Sequence, residues 1–245
     1  MIRSFLDAIR LLTILPLPAG RDPARPALLY WFPAAGLVVG LILAGMETGL
    51  TMAVESVNIG ILTPLIVVAL WLVLTRGLHI DGVADTFDAL GAVADRARRL
   101  EILRDPRVGP IGVAAVALIL IAKVWSLAAI AQAARGLAVV CAAVTARWVV
   151  VIGCAMFPYA RPEGLGTAFI GKAGWRHILW TTVFTAGVLF LSKSAIAIPM
   201  LVAALVGIGI GGVAHRSFGG ITGDVLGAIV EFAETAVLFV FVLRT

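Results

Sequence analysis

Residues 108–131 of the chain read VGPIGVAAVALILIAKVWSLAAIA, a run of apolar and small residues with a single charged side chain, Lys123. A helix that crosses a lipid bilayer needs about 20 consecutive, mostly apolar residues. Inside hydrocarbon every backbone N–H and C=O group needs a partner within the protein, and an α-helix supplies these partners within its own segment. This stretch therefore predicts a transmembrane helix, and it decides the class of fold.

Runs of the same kind lie on both sides of this stretch. They cover residues 29–50, 59–76, 136–157, 177–192, 195–214 and 225–243. Because Pro64 interrupts the second span along the chain and only residues 192–194 separate the fifth from the sixth, counts from six to eight remain open. We predict an all-α, polytopic membrane bundle of about seven transmembrane helices, folded as a single domain over residues 1–245.

The composition of the 245 residues agrees with that class. Hydrophobic residues make up 61% and charged residues 13% of the chain, whereas soluble domains average about 45–50% and about 25%. So few charges cannot cover a soluble globule, which excludes an ordinary cytosolic enzyme, a disordered chain and a disulfide scaffold. Both cysteines lie in an apolar run and indicate packing. The net charge of +5 reports membrane topology, and we predict no nucleic-acid partner.

The lysine and arginine residues are distributed unevenly between the two ends of the predicted spans. With the amino terminus in the cytoplasm, the loops on that side carry Arg3, Arg10, Arg21, Arg25, Arg76, Arg96, Arg98, Arg99, Arg104, Arg107, Arg161, Lys172, Arg176 and Arg216. The opposite side carries only Arg135, Lys193 and Arg244. Because positive residues concentrate in cytoplasmic loops, we predict a multi-pass protein of the cell (inner) membrane, with lipid as its surroundings and these loops on the cytoplasmic side.

Residues 1–27 precede the first span and form a separate pattern. In residues 2–13 the apolar side chains fall on one helical face, opposite Arg3, Asp7 and Arg10. That pattern is typical of a helix lying in the membrane interface, and the charges within it argue against a cleaved signal peptide. Four prolines then predict a short linker before the first span.

The segment 77–107 is the longest polar stretch and carries three regularly spaced acids. Asp81, Asp85 and Asp88 are spaced i, i+4 and i+7, which places them within about 60° of one helix face. Like charges on one stripe repel each other, and the cost grows close to lipid. A divalent cation such as Mg²⁺ or Mn²⁺ would remove this repulsion, since both ions prefer oxygen ligands. The alternative is a solvated acidic face beside the membrane.

The last span carries a second set of acids. Asp224 stands at its cytoplasmic start, and Glu231 lies two turns further along the same face. Carboxylates within a span usually face a site or an internal partner. Glu231 therefore faces either the site or Arg147, which lies within the fourth span. Because both acidic segments begin on the cytoplasmic side, they could converge, and Asp224 then joins the candidate metal ligands.

The remaining candidates lie in cytoplasmic loops around these acids, within 77–107, 158–176 and 215–224. Asp105 precedes a proline turn and either completes the metal shell or caps the turn. Guanidinium groups bind phosphate as bidentate forks, whereas membrane topology alone also explains the basic residues. The basic candidates for a phosphate site are Arg104, Arg107, Arg161 and Arg216. Gly223, which precedes the last span, suits a phosphate cradle at a helix N-terminus, and His79 draws attention only by its position before Asp81.

Carboxylates able to hold a metal, arginines suited to phosphate and a membrane location together indicate phosphoryl-group transfer on a pyrophosphate. In such reactions a metal bridges phosphate oxygens and offsets the charge that develops on the leaving group. The acid spacing is similar to that of CDP-alcohol phosphotransferases, but the Asp-Gly-x-x-Ala-Arg sequence of that family is absent, since the chain reads DGVADT. An ion-coupled transporter that uses Asp224, Glu231 and Arg147 as a relay is a further alternative.

Five segments resemble a more specific family. They are RLLTILPLP at 10–18, GLHIDGVADTFDALGA at 77–92, DRARRLEILRDPRVGPIGV at 95–113, YARPEGLG at 159–166 and FGGITGDVLGAIVEFAE at 218–234. In this order they are similar to the recurrent segments of the cobalamin synthase family, the adenosylcobinamide-GDP ribazoletransferases. The resemblance extends from about residue 5 to residue 240.

The resemblance implies an integral membrane enzyme of the last steps of vitamin B12 assembly. Such an enzyme joins adenosylcobinamide-GDP to α-ribazole or its 5′-phosphate and releases GMP, with Mg²⁺ as cofactor. It implies catalytic roles for Asp81, Asp85, Asp88, Asp105 and Asp224, of which all but Asp105 are metal candidates. It matches Arg104, Arg107, Arg161 and Arg216 to basic positions of the family and includes Glu231 deeper in the last helix. Together with Gly223 and His79, for which a structural role is the alternative, these residues are the candidates for substrate or phosphate contacts. A homo-oligomer or a complex with other late cobalamin enzymes is possible.

The resulting hypothesis for the reaction has three parts. The three acids of the 77–107 segment hold one or two Mg²⁺ ions across the pyrophosphate, and arginines neutralise the GMP leaving group. A ribose hydroxyl of ribazole attacks the phosphorus attached to the cobinamide. One of Asp88, Asp105 or Asp224 orients or deprotonates that hydroxyl, and the sequence does not choose among them.

Overall fold

The computed structural model describes residues 2–18, 25–53, 60–191 and 197–244. Over these residues the chain forms ten α-helices and two short 3₁₀ helices, and the only β-type pairing is an isolated parallel bridge between Tyr159 and Ile221. The α-helices are α1 (Ile2–Leu12), α2 (Phe32–Ala53), α3 (Leu62–Leu74), α4 (Leu78–Gly91), α5 (Arg96–Ile102), α6 (Pro110–Ala129), α7 (Gln132–Met156), α8 (Trp175–Leu191), α9 (Ala197–Phe218) and α10 (Gly223–Val242). The 3₁₀ helices are Pro26–Trp31 and Leu165–Ala168. The prediction of an all-α protein is confirmed.

Five helical segments within the described ranges are long and apolar enough to cross a membrane. They are Pro26–Ala53, which runs through the first 3₁₀ helix into α2, and α6, α7, α9 and α10. Helices α3 and α4 qualify only as a pair that is bent by 88°, and α8 has 17 residues. The predicted boundary between the fifth and sixth spans, with Lys193, lies outside the described residues. A polytopic bundle is confirmed. By length and composition the described residues hold five or six segments able to cross the membrane, against a predicted count of about seven with six to eight left open.

The second predicted span, residues 59–76, is cut short by the bend. Helix α3 has only 13 residues, because Arg76 and Gly77 adopt left-handed φ angles of 56° and 65°. The N–H of Gly77 donates to the carbonyl of Leu72 and the N–H of Arg76 to that of Val73, which is the hydrogen-bond pattern of a Schellman motif. Glycine adopts such a φ angle without strain. The chain therefore turns sharply into α4, the helix that carries the first acidic set.

Helix α7 forms the centre of the bundle. Every residue from 138 to 151 is buried, and α2, α8, α9 and α10 pack around this helix. Cys141 and Cys154 are buried free thiols within it, as expected of cysteines that serve packing. On one side α10 lies between α7 and α4. Helix α4 therefore packs on α10, which in turn packs on α7. This packing sets the position of the acids of α4.

Helix α1 packs against the first 3₁₀ helix and α2. Ile9 and Leu12 are buried in this contact, in agreement with the predicted apolar face. Asp7 differs from the prediction of a polar outer face, because it is buried and pairs with Arg25 at 3.1 Å. The positive charge of Arg25 compensates the cost of burying the Asp7 carboxylate, because a buried charge is tolerated when it is paired.

Candidate active site

The first turns of α4 and α10 meet at one end of the bundle. Asp81 lies in the first turn of α4, and Asp224 lies in the first turn of α10. The two backbones are so close that a Cβ atom at Gly82 would overlap the carbonyl oxygen of Asp224. A residue without a side chain allows helices this approach. The structure thus brings together the two acidic segments that are distant in sequence.

Asp85 lies one turn after Asp81 and is partly buried. Burial raises the pKa of its carboxyl to about 7, and the negative charges of Asp81 and Asp224 add to this effect. Burial and these two carboxylates favour the neutral carboxyl, and the nearby positive charge of Arg161 opposes them only in part. Within the described ranges neither Asp81 nor Asp85 forms a salt bridge. This part of the site is therefore short of positive charge.

Asp224 differs from these two acids in having a cationic partner. Arg161 donates from Nη2 to Asp224 Oδ2 at 2.9 Å and to the carbonyl oxygen of Leu103 at 3.0 Å. Thr222, the N-cap residue of α10, donates its hydroxyl to the same carboxylate oxygen at 3.1 Å. The buried Nε of Arg161 has no hydrogen-bond partner among the described residues. Arg161 therefore has donor capacity left for an anionic ligand beside Asp224.

Backbone hydrogen bonds join the loop that carries Arg161 to the loop that precedes α10, and so hold Arg161 beside Asp224. The N–H of Ala160 donates to the carbonyl of Ile221 at 3.0 Å, and the N–H of Ile221 donates to the carbonyl of Pro158 at 2.9 Å. These bonds form the isolated bridge between the predicted loops 158–176 and 215–224. The bridge fixes the backbone of both loops next to the start of α10.

Asp88, the third acid of the predicted stripe, has a different environment. Its Oδ2 accepts the N–H of Gly109 at 2.6 Å and its Oδ1 accepts the N–H of Gly112 at 2.8 Å. Those amides are at the N-terminus of α6, where free N–H groups need acceptors and a negative charge is favourable. Asp88 therefore links α4 to α6 with both carboxylate oxygens.

Four further predicted residues lie on the surface near these loops. Asp105 accepts from Arg107 Nη2 at 2.7 Å and from its backbone N–H at 3.0 Å. These hydrogen bonds hold the pKa of Asp105 well below its usual range. Arg104 and Arg216 are exposed. The structure thus places Asp105 in a turn with Arg107, apart from the pair formed by Asp81 and Asp85.

A cluster of buried charges lies deeper in the bundle. Lys123 Nζ is 2.5 Å from Glu231 Oε2 and 2.5 Å from Glu234 Oε2, and Arg147 also pairs with Glu234. Arg147 Nη2 lies 3.5 Å from Nδ1 of His79, which is buried as well. Glu231 thus pairs with Lys123 and not with Arg147. The sequence did not single out Lys123 as a partner, because a lone cation in an apolar run does not show which helix it faces.

A cavity of about 260 Å³ lies between the acids and the charged cluster, and we name it the inner cavity. It is lined by Leu11, Leu12, Phe32, Leu78, His79, Asp81, Arg147, Val150, Tyr159, Arg161, Gly164, Leu165, Gly166, Phe169, Gly223, Asp224, Leu226, Gly227 and Val230. The lining unites predicted residues from three separate segments. The sequence could not predict that aromatic residues such as Phe32 and Phe169 line the cavity, since an apolar residue in an apolar stretch does not stand out from its neighbours.

A second depression of about 950 Å³, named the outer groove, lies on the surface of α4 and α6. Its lining is formed by Arg76, Gly77, Leu78, Ile80, Asp81, Ala84, Val108, Val113, Val116, Ala117 and Leu120. Leu78 and Asp81 belong to both linings. Asp81 therefore stands where the inner cavity and the outer groove adjoin.

The donor set suits a hard divalent cation that is shared with a ligand. No three His, Cys, Asp or Glu side chains within the described ranges are arranged to hold an ion by themselves. Mg²⁺ is commonly bound by one or two carboxylates together with water and substrate phosphates, without a complete cage of protein ligands. Asp81 and Asp85 provide two such carboxylates, and among the described residues neither has a cationic partner in a salt bridge.

The sequence matches a family model described as cobalamin-5-phosphate synthase over residues 4–242. A protein of Chlorobaculum parvum named adenosylcobinamide-GDP ribazoletransferase is 37% identical, and the match covers 98% of this chain and 95% of that protein. Proteins of the same name from Chlorobaculum tepidum and Roseiflexus sp. are 38% and 37% identical, over 97% and 95% of this chain and 94% and 86% of their own lengths. No solved structure gave a significant match. The family resemblance is thereby confirmed: the chain belongs to the cobalamin-5-phosphate synthase family, whose members are transferases of cobalamin biosynthesis.

Proposed function

We propose that the protein transfers the phosphocobinamide group of adenosylcobinamide-GDP to α-ribazole or α-ribazole 5′-phosphate. The products are GMP and adenosylcobalamin or its 5′-phosphate. Family membership and the name shared by the relatives support this proposal. The observation that carries it at the level of residues is the position of Asp81, which lines both the inner cavity and the outer groove. Two substrates can therefore approach one carboxylate from two sides.

In this reaction a ribose hydroxyl forms a new bond to the phosphorus attached to cobinamide, the bond from that phosphorus to the GMP oxygen breaks, and the hydroxyl proton must be accepted. Of the three acids considered for this role, Asp224 lines the inner cavity. Asp88 and Asp105 line neither depression. Asp88 is engaged with amides of α6, and Asp105 lies on the surface with Arg107. We therefore assign to the Asp224 carboxylate both the orientation of the attacking hydroxyl and the acceptance of its proton.

Arg161 has the position to bind the phosphate group that leaves with GMP. Its guanidinium is fixed by the carbonyl of Leu103 and by Asp224, and only 14% of its side chain is exposed. A planar fork held in this way needs little further ordering to bind phosphate oxygens. The exposed Arg104 and Arg216 would draw an anionic donor toward the site.

Asp81 and Asp85 are the residues that would hold Mg²⁺ here, together with oxygens of the donor pyrophosphate. When bound, the ion would offset the negative charge that develops on the leaving phosphate. The two carboxylates come from successive turns of α4, so the helix itself sets their spacing. Among the described residues neither carboxylate forms a salt bridge, and a bound ion would supply the positive charge that they lack.

The end of the bundle that carries this site is proposed to face the cytoplasm of the cell. The support is the excess of arginine in the segments around the site, which is typical of cytoplasmic loops. A transporter that uses Asp224, Glu231 and Arg147 as a relay is not favoured. These three side chains pair with three different residues, Arg161, Lys123 and Glu234.

The test is the Asp85→Asn variant, which keeps the shape of the side chain and removes its charge. We expect its Mg²⁺-dependent release of GMP from adenosylcobinamide-GDP and ribazole to fall by about a hundredfold or more, the size of effect seen when one electrostatic contact to a transition state is lost. The matched control is Glu101→Gln, which neutralises an acid whose side chain is 65% exposed on α5. Wild-type turnover in detergent-solubilised Asp85→Asn would refute the metal assignment.

A further inference from the structure

We infer that the inner cavity binds the smaller substrate, the ribazole acceptor, and that Arg147 contributes to its selection. This inference rests on the proposed function, because it asks where each of the two substrates of that reaction is bound. The two depressions that adjoin at Asp81 differ in size and in the chemistry of their walls. Both differences place ribazole in the inner cavity and the larger donor in the outer groove.

Size gives the first argument. The inner cavity measures about 260 Å³ and the outer groove about 950 Å³. Ribazole is an aromatic base joined to ribose, whereas the donor carries a corrinoid ring several times larger. Pockets for small molecules usually measure about 300–1,000 Å³. The inner cavity lies just below the small end of this range, which suits a ligand of nucleoside size and is too small for a corrinoid. The larger donor would approach Asp81 from the outer groove.

The walls of the inner cavity give the second argument. Leu12, Phe32 and Phe169 belong to the lining, and the ring centroids of Phe32 and Phe169 lie 5.7 Å apart. Aromatic and apolar lining residues favour an aromatic base. Asp224 and Arg161 line the same cavity, so a base packed against the aromatic rings would leave its ribose hydroxyls to these polar groups, as the proposed reaction needs.

Arg147 gives the third argument. It lines the cavity, only 1% of its side chain is exposed, and its Nη1 is bound by Glu234 and the carbonyl of Ala143. Its Nε is buried and has no hydrogen-bond partner among the described residues. A buried donor without a partner is unfavourable. A small turn of the guanidinium into the cavity would let an acceptor atom of the bound nucleoside, on the base or the ribose, supply the missing partner.

Filling the cavity tests the assignment. Val150 lines the cavity from α7, and Val150→Phe would occupy part of its volume. We expect the KM for ribazole to rise roughly tenfold, as pockets respond to a change of a few carbon atoms, while the KM for adenosylcobinamide-GDP stays unchanged. Val183→Phe is the matched control, because Val183 on α8 is 60% exposed and lines neither depression. The smaller change Val150→Leu, with the same direction of effect, serves if Val150→Phe does not fold.

The role of Arg147 requires a design that keeps the buried charges balanced. The double variant Arg147→Gln/Glu234→Gln removes one charge of each sign. Its reference is Lys123→Gln/Glu231→Gln, which also removes one charge of each sign but keeps Arg147 and its partner Glu234. We expect the double variant to bind radiolabelled ribazole, measured by equilibrium dialysis without donor, more weakly than this reference.

The outcomes separate the inference from the proposed function. Active Val150→Phe with an unchanged ribazole KM, or with a raised KM for the donor alone, would overturn the assignment of the cavity and leave the reaction intact. Equal binding by the double variant and its reference would overturn the role of Arg147. Absence of GMP release by the wild-type protein with both substrates would instead refute the proposed function.

Discussion

At the scale of single residues, three acids on one helix have three different environments. Asp81 adjoins both depressions, Asp85 is partly buried beside other carboxylates, and Asp88 binds amides of α6. The i, i+4, i+7 spacing correctly predicts that they share a helix. It could not predict that Asp88 binds α6, because spacing describes one helix and not its neighbours.

The pKa of Asp85 leads to a pH dependence of cation binding. Since the pKa is raised to about 7, the carboxyl is protonated below neutrality and charged above it. A proton and a divalent cation compete for the same oxygens. We expect Mg²⁺ to bind more tightly as the pH rises from 6 to 8, by up to about tenfold per pH unit below the pKa. Isothermal titration of wild type and Asp85→Asn checks this, and an equal pH dependence in both would contradict it.

Replacing Asp88 should lower the stability of the protein more than it affects the binding of Mg²⁺. The Asp88→Ala variant removes both acceptors of the α6 amides, and hydrogen bonds to a charged group contribute about 1.5–3 kcal/mol each. We expect a clear loss of unfolding free energy, measured by denaturant titration in detergent. The affinity of the protein for Mg²⁺ should change less than in Asp85→Asn. An Asp88→Ala protein of wild-type stability would contradict this interpretation.

At the scale of helices, the buried charges join α6, α7 and α10. Lys123 of α6, Arg147 of α7 and the two acids of α10, Glu231 and Glu234, carry two charges of each sign. The depth of Glu231 in the last span predicts a carboxylate that faces either the site or Arg147, and in the structure it pairs with Lys123 instead. Lys123 could not be predicted as that partner, since the sequence does not show which helices lie side by side.

Because the buried charges are balanced, the loss of one charge should be compensated by the loss of a second charge of opposite sign. Lys123→Met leaves two buried carboxylates with one cation, and breaking a buried pair commonly costs about 3–5 kcal/mol. The double variant Lys123→Met/Glu231→Met restores neutrality and should recover most of the lost unfolding free energy. Lys172→Met, at an exposed lysine, is the control. Equal stability of the single and double variants in detergent would argue against a charge-balanced cluster.

At the scale of the whole molecule, the bundle brings segments far apart in sequence to one end. The apolar runs predict the class of fold, and the acidic segments predict which helices carry the site. The bend after α3 could not be predicted in the same way, because it depends on the left-handed conformation of Arg76, a residue that rarely adopts it. That bend directs α4 along α10 and so places Asp81 next to Asp224.

The site is proposed to join two substrates and not to hydrolyse one. The most direct measurement is the amount of GMP and of cobalamin formed by the purified protein from adenosylcobinamide-GDP and ribazole with Mg²⁺, followed by chromatography. We expect equal amounts of both products, and no GMP when ribazole or Mg²⁺ is left out. GMP release that does not depend on ribazole, or no GMP with all components present, would contradict it.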